Sequence, residues 1–454
     1  MNSFLPMASK IRSSGVPLIL GLAVAGAAWA CFTPDRAAVL NKQHPDDDLV
    51  AVSVHAHASN PLPYVLAGSS ACIDGFADIF PCSNVDLLAH IPLSDIGNGS
   101  GSDSWGWVDP MDGTEYAIVG RSSGVAFLDL SDPTNVVYLG NLPRPASASS
   151  STWSDIKVYQ DNAFMVADFA SQHGMLVFNL TQLRNVANPP ATFTPHTVYS
   201  EFSSAHNIAI NTDTGFAYIV GSNTCSGGLH MVDISTPSAP TFAGCFSSDG
   251  YTHDVQCVVY QGPDVEHQGK EICFASNEDT LTIVDVSDKQ NPVQISRAQY
   301  GDTEYTHQGW LTEDHAYFLL DDELDERNVS SISTTRTVTL NLTDLDNPTM
   351  AGEFFADGAA IDHNQYVVGN FTYQANYRRG LRILQIDDPA TGALREVGYF
   401  DTFPEGDGNS FSGAWNVYPF FPSGNVLISD MNRGFLLVRP TVAGVDQILA
   451  DGFE

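Results

Sequence analysis

Basic side chains are the scarcest class in this chain. Of 454 residues only 19 are Lys or Arg, against 53 Asp or Glu, for a formal net charge of −34. The five lysines, Lys10, Lys42, Lys157, Lys270 and Lys289, are scattered. Nucleic acid is thereby excluded as a partner, because a polyanion is held by neutralising its phosphates. An anionic membrane surface is excluded on the same ground. There is no Cys-x-x-Cys pair for dithiol redox chemistry. There is also no His-Glu-x-x-His and no Gly-Lys-Ser/Thr phosphate loop, so the recognisable zincin and P-loop readings are absent. Beyond the N-terminus no apolar run approaches the ~18 residues of a membrane-spanning helix, so no transmembrane anchor is predicted. Disorder is excluded by the opposite kind of observation: 43% hydrophobic and 10% aromatic content supplies a large core.

Residues 1–30 read as a signal peptide. Lys10 and Arg12 precede an apolar run from Val16 to Ala27, and Ala28-Trp29-Ala30 forms a small-x-small cleavage site before Cys31. Export is therefore expected, to the extracellular space, the cell surface or the periplasm. With Cys31 set aside, the remaining cysteines fall into sequence-local pairs, Cys72 with Cys82, Cys225 with Cys245 and Cys257 with Cys273, expected as disulfides in an oxidising compartment. Residues 31–83 are read as an N-terminal extension carrying the Cys72/Cys82 loop.

From residue 84 to 440 one unit recurs with a period of about 45 to 55 residues. Its clearest part is a third strand, often led by glycine and closed by Asp or Asn and then Ser or Thr. Copies include Gly124-Val-Ala-Phe-Leu-Asp-Leu-Ser131, Gly228-Leu-His-Met-Val-Asp-Ile-Ser235, Thr280-Leu-Thr-Ile-Val-Asp-Val-Ser287 and Thr337-Val-Thr-Leu-Asn-Leu-Thr343. The others begin at Gly174, Gly380 and Gly434. Seven four-stranded copies predict an all-β fold, a seven-bladed β-propeller. The seventh copy has no fourth strand after Pro440. Asn84 to Leu93, upstream of the first copy, carries the matching apolar pattern and is predicted to close the ring as that missing strand.

Aligned starts of the first strands give a column of Trp105, Ser154 (or Trp153 with a one-residue shift), His206, His253, His307, His363 and Trp415. A second column reads Gly106, Asp155, Asn207, Asp254, Gln308, Asn364 and Asn416. In a propeller these positions enter the innermost strands, so His206, His253, His307 and His363, with Asp155 and Asp254, are expected at one mouth of the channel. Such a set either bonds neighbouring blades to one another or binds a transition metal or substrate. On the same face a loop carries Asp321, Asp322, Glu323, Asp325 and Glu326. Its plain reading is a solvated acidic loop, and its functional reading is a Ca²⁺ or substrate-cation site. Tryptophan, tyrosine and phenylalanine sit mostly at strand positions and are read as core.

The stretch Tyr305-Thr-His-Gln-Gly-Trp-Leu-Thr-Glu-Asp314, together with Asp321 to Glu326, Ala360-Ile-Asp-His-Asn364, Ala375-Asn-Tyr377 and Arg379-Gly-Leu-Arg-Ile383, resembles the choice-of-anchor B family of exported bacterial proteins. The third strands are similar to its LVIVD repeats, as in Leu281-Thr-Ile-Val-Asp285. This resemblance implies a secreted or surface β-propeller and brings no catalytic residues with it. Residues 441–454 end in Ile448-Leu-Ala-Asp-Gly-Phe-Glu454, which resembles a terminal sorting signal. The function expected is a non-enzymatic module that binds a protein or small-molecule ligand on the face of the histidine column, with Ca²⁺ or a transition metal as its possible cofactor. The alternative is a metal-dependent hydrolase or lyase at the channel mouth.

Overall fold

A computed structural model describes residues 68–444. The signal peptide, Cys31, and the tail from 445 onward lie outside the described residues. Seven antiparallel sheets follow one another along the chain, each built on four strands. Blade 1 runs from the innermost strand Gly101–Val108 through Glu115–Arg121 and Gly124–Asp129 to Val137–Pro143. Blades 2 to 6 repeat that order, with innermost strands Ser154–Tyr159, Asn207–Asn211, Asp254–Val259, Thr306–Leu311 and Asn364–Val368. Blade 7 comprises Ala414–Tyr418, Val426–Asp430 and Gly434–Pro440, and its outer strand is Val85–Ile91, from the other end of the chain. The pairing of Val85 with Pro440 and Ile91 with Phe435 closes the ring as the sequence predicts.

The third strands are nearly continuous apolar runs because each sheet is packed on both faces by its neighbours. Phe127 of blade 1 and Phe178 of blade 2, for example, stack across a seam with ring centroids 4.6 Å apart. The recurrent Asp or Asn at the strand end makes an Asx turn. Asp129, Asn179, Asp233, Asp285 and Asn341 each accept a hydrogen bond from the backbone N–H two residues on, at 2.8 to 3.0 Å. A register shift between third and fourth strands recurs at Phe127/Leu128, Met231/Val232, Ile283/Val284, Thr339/Leu340 and Ile383/Leu384, bending each outer strand at the same place. Fourth-strand glycines have a steric reason. A Cβ on Gly244 would run into the Lys289 carbonyl of blade 4, and one on Gly352 into the Thr391 carbonyl of blade 6.

Two blades carry additions that the repeat pattern does not announce. Phe80–Ser83 and Phe76–Ala77 extend blade 6 outward, so part of the N-terminal extension belongs to the propeller, with Cys72 bonded to Cys82. The fourth strand of blade 2 is the short Thr197–Tyr199, and the insertion before it sends Ala191–Thr192 to pair in parallel with blade 1. Cys225–Cys245 and Cys257–Cys273 are also at bonding distance. No helix among the described residues is long and apolar enough to cross a membrane.

Candidate functional site

His206, His253, His307 and His363 sit immediately before or within successive innermost strands, so the propeller stacks their rings around the channel. Ring centroids are 4.4 Å apart for His206 and His253, 4.1 Å for His253 and His307, and 4.4 Å for His307 and His363. Trp415 continues the stack 4.8 Å from His363. Each ring nitrogen has its own task. Nδ1 of His253 faces the His307 carbonyl at 3.0 Å, Nδ1 of His307 the His363 carbonyl at 2.9 Å, and Nδ1 of His363 the Trp415 carbonyl at 2.6 Å. A carbonyl oxygen only accepts, so these Nδ1 atoms carry the proton and, in the neutral ring, Nε2 keeps its lone pair. Burial, with His363 and His206 close by, holds His307 well below the ordinary imidazole range. His206 is oriented differently, by Asp168 at 3.3 Å. The Asp168 carboxylate is penalised by burial but brought below its usual range by His206 and Ser204.

The second column bonds blade to blade. Asp155 accepts from the Ile208 N–H at 2.6 Å, Asn207 donates to the His253 carbonyl at 3.0 Å, and Gln308 and the Gln365 backbone exchange bonds at 3.0 and 2.9 Å. In blade 1 the expected members Trp105 and Gly106 are displaced from both columns. A bulge between Gly101 and Ser104 shifts the register, so Ser102 and Asp103 take those places. Ser102 meets Ser154 at 2.7 Å, and Asp103 accepts from the Ile156 N–H at 2.9 Å. Nothing in the sequence pattern marks that bulge. Asp254 instead faces the channel axis, where Asp103 and Asp155 surround Lys157. Lys157 bonds Asp155 and lies 3.6 Å from Asp103. The sequence reading passed over Lys157 and Asp103.

The acidic run is not solvated. Asp321, Asp322 and Asp325 are fully buried, Glu323 is 2% exposed and Glu326 6% exposed. Asp321 and Asp322 end the second strand of blade 5, Tyr317–Asp322, and Asp325 and Glu326 open a single helical turn, Asp325–Asn328. Their hydrogen-bond donors come from remote positions, which is why a local reading predicts solvent. Asp322 accepts from the N–H groups of Glu304 and Tyr305 and from the Tyr300 hydroxyl, at 2.9, 2.7 and 2.8 Å. Arg336 donates to Asp325 at 2.6 Å.

Glu323 joins this run to the histidine column. Its carboxylate lies 3.8 Å from Nε2 of His307 and 3.7 Å from Nε2 of His363, while the Tyr377 hydroxyl donates to it at 2.7 Å. Those separations are too long for hydrogen bonds. They suit ligands sharing an ion: two donors each about 2.1 Å from a metal at a tetrahedral angle stand roughly 3.4 Å apart. Two imidazoles and one carboxylate, with a tyrosine hydroxyl orienting the carboxylate, match the donor set and outer support of transition-metal centres. The aromatic cluster of Trp153, Tyr377, Phe411 and Trp415, all buried, packs at this end of the channel. A cavity of about 20 Å³, room for an ion or a water, lies between the four imidazoles and the side chains of Asp103, Asp155, Lys157 and Asp254, and Glu323 is not in its wall.

At the opposite mouth, where the innermost strands end, the channel widens into a cavity of about 420 Å³. Trp105, Trp310, Tyr366, Tyr418 and Phe420 form its wall, mostly edge to face, with Trp105 and Tyr418 at 5.1 Å and Trp310 and Tyr366 at 5.0 Å. Lys157 and Asp254 face it from the channel, and the Lys157 ammonium lies 4.6 Å above the Trp105 ring. Gly120-Arg-Ser-Ser-Gly124 matches the spacing of a hydrolase nucleophile elbow, yet it is a turn between two strands rather than strand to helix. The Ser122 hydroxyl accepts from the Ser100 N–H.

The LVIVD repeat family matches residues 204–247 and 263–299, within blades 3 and 4. No curated protein matches the chain. Among solved structures, a chain of Kuenenia stuttgartiensis hydrazine synthase superposes with a TM-score of 0.52 at 12% identity, covering 76% of this chain and 99% of that one. The WD40 repeats of RRP9 superpose with a TM-score of 0.51 at 9% identity, covering 78% and 97%. At such identities the likeness is one of fold alone.

Proposed function

We propose that the protein is an exported, non-enzymatic propeller of the choice-of-anchor B kind that binds a small-molecule ligand in the aromatic cavity, with a transition metal held at His307, Glu323 and His363 as an internal brace. The observation that carries this reading is the separation of the two features. The metal-type donor set is enclosed by buried aromatic side chains, with Tyr377 donating to Glu323 and Trp415 stacked on His363, whereas the ligand-sized, aromatic-walled cavity opens at the other mouth. Three disulfide pairs and the leader-like N-terminus support export. The LVIVD match supports the family assignment.

Elemental analysis of the purified protein should find a transition metal near one equivalent per chain, lost in the His307→Ala/His363→Ala double variant; absence of metal from the parent protein would refute the brace. For the cavity, tryptophan fluorescence titrated with a panel of sugars, aromatic acids and organic amines should report saturable binding that Trp310→Ala weakens at least tenfold. A panel that leaves the fluorescence unchanged, or equal affinity in the variant, would remove the cavity from the proposal. One observation favours an enzyme instead: a three-ligand set leaves coordination positions open, as catalytic metal sites do. Turnover of lactones, phosphate esters or uronides that disappears with the His307→Ala/His363→Ala change would establish that alternative.

A further inference from the structure

Next to Glu323, a second group of carboxyl oxygens faces inward without donors. Asp362, which precedes the sixth blade, is fully buried, and neither of its oxygens meets a hydrogen-bond donor from outside the acidic group. Asp321 Oδ2, Asp325 Oδ1 and Glu326 Oε2 share that condition, and Asp321 and Asp362 confront each other carboxyl to carboxyl. The surrounding donors are already committed. Gln365 donates to Asp321 Oδ1 at 2.7 Å, and the Arg336 N–H to Glu326 Oε1 at 3.1 Å. The Arg336 guanidinium is spent on Asp325, Glu353 and the carbonyls of Gly301 and Asp302. Asp322 is satisfied by its three donors, and Glu323 faces the imidazoles, so neither is needed here.

Buried carboxylates with orphaned oxygens carry a large desolvation cost unless a cation or protons compensate them. The oxygens are hard donors. They come from two segments, the end of the second strand of blade 5 with the turn that follows it and the entry to blade 6, and no imidazole or thiol contributes. Ca²⁺ takes six to eight such oxygens in adaptable geometry, whereas Mg²⁺ demands a regular octahedron and retains waters, which a tightly buried group has little room to admit.

We propose that Asp321, Asp325, Glu326 and Asp362 form a Ca²⁺ site that clamps the acidic loop of blade 5 to blade 6 and thereby fixes the backbone carrying Glu323. Sequence alone pointed to the run 321–326; Asp362 and the exclusion of Asp322 and Glu323 come from the fold. This inference does not rest on the transition-metal reading, because the two sets share no oxygen.

The test uses the purified full chain stripped with a chelator at constant pH. Added Ca²⁺ should raise the melting temperature by several degrees, and terbium should give luminescence sensitised by nearby aromatic residues and quenched by excess Ca²⁺. Asp362→Asn should abolish the thermal shift and weaken terbium binding at least tenfold. His307→Ala/His363→Ala should retain both responses, which separates failure here from failure of the transition-metal brace. If Asp362→Asn does not fold, Glu326→Gln serves in its place with the same expectation. No Ca²⁺ response in the parent chain, or an undiminished response in the variant, would overturn the proposal and leave shared protons as the compensation for these carboxyls.

Discussion

Asp254 lies beside the Lys157 ammonium in the channel, yet it does not behave as a simple ion-pair partner. Burial, followed by repulsion from Asp155, pushes its carboxyl up to about 7, with Lys157 and His206 pulling the other way. Asp155 takes the ammonium directly and ends below the ordinary range despite its burial, while burial and Asp155 drive Asp103 well above it. One lysine therefore serves three carboxyls unequally. The folded protein binds a proton at Asp254 more tightly than the unfolded chain, whose carboxyl titrates near ~3.9. The stability from this group is full below about pH 4 and is lost as pH rises toward about 7. Asp254→Asn imitates the protonated form. Its melting temperature should match that of the parent near pH 4, rise above it through this window, and stay higher by a constant margin beyond pH 8. Melting curves whose difference does not vary with pH would remove Asp254 as the titrating group.

At the scale of elements, what could be read in advance depended on whether the cause was local. The third strands announce themselves because both faces are buried and an Asx turn follows, so apolar run and terminal Asp or Asn stand in one short segment, as in Leu281 to Asp285. The histidine column was legible for the same reason: each member occupies the same place relative to its own strand. Trp105 was misassigned because a bulge within Gly101–Val108 depends on pairing with Glu115–Arg121 and leaves no compositional mark. The run from Asp321 to Glu326 was expected in water because its compensating groups, Tyr300, Arg336, Gln365 and Tyr377, belong to other strands and loops and meet it only in the folded ring. The aromatic cavity escaped notice because Trp105, Trp310, Tyr366 and Tyr418 each look like core in their own strand, and only the sevenfold arrangement turns them toward one space. Chemistry that arises from convergence is the part a linear reading misses.

The whole molecule depends on one seam that differs from the others. Every fourth strand except one follows its own third strand along the chain, directly or after an insertion. Val85–Ile91 instead reaches blade 7 from the opposite end of the described chain and is held there by pairing, side-chain burial and its connection to blade 1. Leu87, 1% exposed, is packed in the core cluster with Val438, its partner across the strands. Releasing this strand would open the ring and leave Gly434–Pro440 as an unpaired apolar edge, the kind that recruits other chains. Leu87→Ala should cost about 2–5 kcal/mol, the range for a buried leucine truncation. A control is Leu394→Ala, on the fourth strand of blade 6, which is 8% exposed and lies in a strand continuous with its own blade. Urea unfolding followed together with light scattering should show both variants destabilised, but aggregation below the unfolding midpoint only for Leu87→Ala. Equal scattering from the two would mean that the closing strand is no more critical than any other outer strand, and that the ring holds through its inter-blade seams alone.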